Sequence, residues 1–122
     1  MARLCNFKFY SESKMDEDIN ETNFISKGYV DNRNDCCIWY FKEDNEYKFM
    51  INHDSLTVYV NESVYSFKEN EKTEALIKNE GYLYKVSVIT DELIISDSEI
   101  NISYILDFDT FKGYYKITVK LC

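Results

Sequence analysis

The residues able to do chemistry are few. His53 is the only histidine, so any nucleophile–histidine–acid arrangement would have to run through it. It stands next to Asp54 inside the polar run Asn52-His53-Asp54-Ser55, which reads as an exposed hairpin loop. Neighbours in sequence do not make a triad, which is defined by geometry. The thiols are Cys5, Cys36, Cys37 and Cys122. Zinc sites space their ligands as C-x-x-C or H-x-x-x-H, and neither spacing occurs. On a strand, Cys36 and Cys37 would point to opposite faces, which disfavours both chelation and a bridge between them. Asp16-Glu17-Asp18-Ile19-Asn20 imitates the opening of a calcium loop, but Glu21 falls where that loop needs glycine and Lys27 where it needs its bidentate glutamate. Asp107 and Asp109 would share one face of a strand and could pair for acid–base work. Beside the turn-prone Thr110-Phe111-Lys112-Gly113 they are better read as solubilising loop-end residues. Asn20-Glu21-Thr22, Asn61-Glu62-Ser63 and Asn101-Ile102-Ser103 match the glycosylation acceptor pattern. An asparagine-rich chain produces such matches by chance. No catalytic, metal or cofactor motif survives.

The aromatic residues carry the one plausible binding signal. Trp39, Tyr40, Tyr82, Tyr84, Tyr104 and Tyr115 could line an interior cavity, offering apolar faces with polar handles. The plainer reading is that they fill the core themselves.

Charge narrows the partners. The chain has 22 acidic and 14 basic residues, a net charge of −8. Its only arginines are Arg3 and Arg33, and the lysines are scattered among acids. Nucleic acid and anionic membrane surfaces call for a clustered basic footprint, so neither is an expected partner. Arg3-Leu4-Cys5-Asn6 leads straight into Phe7-Lys8-Phe9 with no apolar h-region, and no run approaches the roughly 18 apolar residues of a membrane helix. A cytoplasmic protein with reduced thiols is the expectation.

The elements that must position these residues are strands. Ile100, Ile102, Tyr104, Leu106 and Phe108 alternate with Asn101, Ser103 and Asp107, and only Ile105 breaks the rhythm. Tyr115, Ile117, Val119 and Leu121 repeat it against Lys116, Thr118 and Lys120. Side chains alternate across a strand, so each segment has one oily face and one wet face. Further strands are expected at 3–11, 24–30, 36–41, 47–51, 56–60, 64–67, 82–88 and 93–95. Ser13 to Glu21 reads as a polar turn, and Asp91-Glu92 as a tight connection. Glu71 to Lys78 suits either a short helix or a ragged strand. Gly28, inside a strand, signals a bend, a bulge or close backbone approach. With 122 residues, the chain is expected to be one domain, 1–122. An open meander would expose two edges, and closure removes them. The expected fold is therefore all-β, a single antiparallel up-and-down barrel of about 8–10 strands with at most one short helix.

Three stretches carry a family resemblance: Ile25-Ser26-Lys27-Gly28-Tyr29; Gly81-Tyr82-Leu83-Tyr84-Lys85-Val86 followed by Thr90 and Leu93; and Ile100-Asn101-Ile102-Ser103-Tyr104-Ile105-Leu106. In their order and spacing the chain resembles the YwiB-like proteins, small bacterial proteins with a lipocalin-like (calycin) β-barrel. Where that family has a strand carrying Arg and then Gly, this chain has Thr57-Val58-Tyr59-Val60-Asn61-Glu62. The resemblance implies a barrel with a possible interior site and supplies no catalytic residues. The function expected from the sequence is a non-enzymatic binding module for a small apolar or amphipathic ligand. The alternative is a protein–protein interaction module acting through its acidic surface or a strand edge.

Overall fold

The computed structural model describes residues 2–122. Ten strands follow one another: β1 (Ala2–Met15), β2 (Asp18–Asn32), β3 (Cys37–Lys42), β4 (Glu46–Ile51), β5 (Leu56–Val60), β6 (Ser63–Phe67), β7 (Lys72–Asn79), β8 (Tyr82–Ile95), β9 (Glu99–Asp107) and β10 (Lys112–Leu121). No helix occurs among the described residues. Every neighbour is antiparallel, and β1 pairs with β10, which closes the sheet into a barrel.

The alternation predicted for β9 is realised residue by residue. Ile100, Ile102, Tyr104 and Leu106 are buried, and the residues between them are partly exposed. The interior is built mainly from large rings. Phe7, Phe41 and Phe49 have 0 % exposure, and Trp39 has 2 %. Phe7 stacks on Phe41 with centroids 4.9 Å apart, and Phe9 stacks on Phe24 at 4.8 Å. A barrel of about eight strands is just filled by ordinary side chains, and a wider one needs larger residues to fill it. Here phenylalanine and tryptophan supply that volume.

Tight turns join several strands. Met15 pairs with Asp18, Val60 with Ser63 and Asn79 with Tyr82, leaving two-residue loops. Such loops need positive φ, which Asp16, Asn61, Glu80 and Gly81 adopt. Gly28 serves a different need. A Cβ there would lie 1.8 Å from the Tyr40 carbonyl oxygen, so close approach of β2 and β3 is what excludes a side chain.

The structure departs from the sequence-based expectation in two places and decides a third that the sequence left open between helix and strand. The polar run 13–21 is the tip of a long β1–β2 hairpin, not a wide turn. Its arms lie against water, so no apolar alternation marks it. The ambiguous segment is strand β7, held between β6 and β8 despite its helix-forming residues. Asp91-Glu92 does not separate two strands. It is a β-bulge within β8, where the register against β9 shifts between Thr90 and Glu92. Before the bulge Val86, Val88 and Thr90 are buried, and after it Leu93 and Ile95 pack on the core.

Candidate functional site

At one end of the barrel the wall opens into a concavity of about 460 Å³. Tyr104, Leu106 and Phe108 line it from β9 and the loop after it, and Tyr115 from β10. Tyr65, Ile77, Asn79 and Tyr84 face them from β6, β7 and β8, and Met15 closes the rim from β1. The barrel wall is notched at this end. β9 stops at Asp107 opposite Ser87, so Tyr82 to Val86 of β8 have β7 on one side and no strand on the other.

The floor of this mouth is a tyrosine cluster. The Tyr104 ring stacks on Tyr115 at 5.2 Å and meets the edge of Phe67 at 4.7 Å. Tyr65 lies 6.5 Å away, centroid to centroid. The Tyr115 hydroxyl donates a long hydrogen bond to Met15 Sδ at 3.5 Å. Tyr104 is only 6 % exposed, and its hydroxyl makes no hydrogen bond to the protein. No side-chain nitrogen or oxygen among the described residues is both sealed from the surface and unpartnered. The Tyr104 oxygen must therefore reach accessible space, and the mouth is the space it lines. Burial pushes the Tyr104 hydroxyl pKa far above its ordinary value, with smaller contributions from Tyr65 and Tyr115. Burial raises those of Tyr65 and Tyr115 as well. All three stay protonated at neutral pH, so each carries a hydroxyl proton to donate, which Tyr115 directs to Met15. None of the lining residues carries a charge at neutral pH.

The six aromatic residues singled out from the sequence divide by position. Tyr84, Tyr104 and Tyr115 meet at the mouth. Tyr82 shares their face of β8 but projects past the rim and is 67 % exposed. Trp39 packs in the core 5.9 Å from Phe7 and borders a depression at the opposite end of the barrel, beside Arg3 and Ile51. Tyr40 is not an interior residue. Trp39 and Phe41 take the inner face of β3, so Tyr40 points out and stacks on Tyr29 at 5.0 Å. Continuous apolar character in 36–41 concealed that parity. Tyr65, Ile77 and Met15 escaped sequence reasoning because only barrel closure brings β6, β7 and β1 to the same rim.

The other chemical candidates do not assemble. His53 is exposed in the β4–β5 loop. The Asp107 carboxylate accepts the backbone N–H of Asp109 at 3.0 Å, a turn-stabilising bond. No group of three or more potential metal ligands forms among the described residues. The four cysteines are free thiols.

Fold and site together define a closed, ten-stranded antiparallel barrel with a packed middle and one open, uncharged aromatic mouth. Among solved structures the chain is similar to the ywiB protein from Bacillus subtilis, with a TM-score of 0.72 over 99% of this chain and 93% of that one. The two share 13% sequence identity, so the likeness is one of fold. No family model and no curated protein matches the sequence.

Proposed function

We propose that this chain is a non-enzymatic binding module that takes a small, neutral, amphipathic molecule into its tyrosine-lined mouth. The observation that carries this reading is the Tyr104 hydroxyl, set on a side chain only 6 % exposed, unpartnered within the protein and reaching an apolar concavity. Buried polar groups ordinarily find partners, and a donor kept for a ligand is one reason to leave one free. The volume falls within the usual range of ligand pockets, roughly 300–1,000 Å³. The uncharged wall favours a neutral guest, because a desolvated charge there would meet no counter-charge. Protonated phenols at neutral pH donate hydrogen bonds but are poor bases and nucleophiles, which weighs against chemistry at this site.

Titration with a neutral solvatochromic dye tests the reading, with native mass spectrometry of protein purified from its host to catch a natural guest. Saturable one-to-one binding, weakened about fivefold by Tyr104→Phe and unchanged by Tyr40→Phe, is the expected result. Absence of saturable binding, or equal effects of the two substitutions, would refute it.

The notch in the wall favours a second reading. In a two-residue hairpin the pair flanking the loop is hydrogen-bonded and pairs then alternate, so Leu83 and Lys85 turn their backbone groups away from β7. An extended segment of a partner protein could add there as a strand.

A further inference from the structure

The bulk charge count conceals a local reversal. The outer face of β10 carries Lys112, Lys116 and Lys120, and the outer face of β1 beside it carries Lys8 and Lys14. Against these five lysines the two strands bear one acid, Glu12. Lys8 lies opposite Lys120, and Lys116 opposite Glu12. Among the described residues, Lys8, Lys14, Lys112 and Lys116 have no carboxylate within ion-pair distance. Lys120 meets Glu99 of β9 at 3.3 Å. In a chain with eight more acids than bases, unpaired lysines would be expected to lie near acids and not near one another. Two hollows follow this face. One of about 310 Å³ is bordered by Lys8, Lys116 and Lys120, with Tyr10 and Thr118 between them. The next is bordered by Lys14, Lys112 and Tyr114, with Asp16 at its edge.

We infer that the β1–β10 face is a docking surface for an acidic, extended polypeptide segment of a partner protein. Charge complementarity selects an anion, and spacing selects its form. Lysines four residues apart on β10 stand about 13 Å apart at roughly 3.3 Å per residue. Carboxylates four residues apart on an extended segment repeat at the same distance, so one segment lying along β10 meets Lys112, Lys116 and Lys120 in register. The borders of the stripe limit its length. Asp16 and Asp107, the latter opposite Lys112 on β9, stand at one end and Glu99 at the other, and Glu21 lies across from Glu12. A peptide of about nine residues spans Lys112 to Lys120 and stops there, whereas a long polyphosphate would run on past the lysines into those acids.

Fluorescence anisotropy at low ionic strength tests this. The probe is a fluorescein-labelled peptide of alternating glutamate and serine, about ten residues long at roughly 3.3 Å per residue. An oligouridylate of equal charge is the comparison. The peptide should bind the native chain, more weakly as salt rises. The double variant Lys8→Gln/Lys116→Gln should bind it about tenfold less tightly, the scale expected for two surface charge pairs. Both side chains are exposed, so the fold should persist, as circular dichroism will verify. The control Lys42→Gln/Lys72→Gln removes two exposed lysines on other strands and should leave affinity unchanged. No peptide binding at low salt, equal weakening by the control, or tighter binding of the oligouridylate would each overturn the inference.

Discussion

Replacing Tyr104 by phenylalanine removes one oxygen from the floor of the mouth, and its effect on stability should emerge only at high pH. A buried tyrosine whose hydroxyl is bonded within the protein loses about 1 kcal/mol on this change. The Tyr104 hydroxyl has no protein partner, so at pH 7 the variant should unfold within about 0.5 kcal/mol of the native chain. At high pH the comparison shifts. The unfolded tyrosine ionises at its ordinary value of 10.0, while burial holds the folded hydroxyl protonated well beyond it. The folded state then binds more protons than the unfolded state, so this contribution is intact below pH 10 and is lost as pH rises above it. One such group loses about 1.4 kcal/mol by pH 11, at 1.36 kcal/mol per pH unit. Phenylalanine cannot ionise and escapes that loss. Urea melts followed by circular dichroism should therefore show near-equal stability at pH 7 and a variant more stable by about 1.4 kcal/mol at pH 11. A loss above about 1 kcal/mol at pH 7 would mean that the hydroxyl is bonded, and no gain at pH 11 would mean that it is not buried.

Two further substitutions probe the frame that holds the mouth. Gly28→Ala should destabilise the barrel by about 3 kcal/mol or more, since β2 and β3 must separate to admit the methyl group, and thermal melting will read the loss. Thr90→Val keeps the shape of a residue 1 % exposed but removes the Oγ1 that accepts the Lys68 N–H at 3.3 Å. It should cost about 1–2 kcal/mol and speed hydrogen exchange at the Lys68 amide, and an unchanged exchange rate would contradict the assigned bond.

What the sequence discloses depends on whether a segment has one wet face. β9 and β10 do, and their inward residues were legible one by one. β7 was not, because Glu71, Lys72, Glu74 and Ala75 favour helices when considered alone, and only pairing with β6 and β8 decides otherwise. The tip of the β1–β2 hairpin has water on both sides, so no pattern distinguishes it from a loop. Asp91-Glu92 resembles a turn because a bulge and a turn both place polar residues between apolar runs. For the site, Tyr84, Tyr104 and Tyr115 were identified as candidates from residue type, but their company was not. Met15 and Tyr115 lie a hundred residues apart and meet only when the barrel closes. The lysine stripe was hidden for the same reason, since β1 and β10 are the two ends of the chain.

The bulge in β8 leaves Asp91 as a residue without a counterpart on β9. A single strand can thereby present even-numbered side chains inward over its first part and odd-numbered ones over its second. Asp91 is thus an extra residue absorbed by the strand, with pairing to β9 regular on either side of it. Exchanging Asp91 for another exposed residue disturbs little, and deleting it would restore unbroken alternation, with Thr90, Leu93 and Ile95 still inward and Glu92 and Ile94 outward. The register of β8 against β9 therefore survives the loss of this one residue, and what the bulge adds is a local kink and twist in the wall.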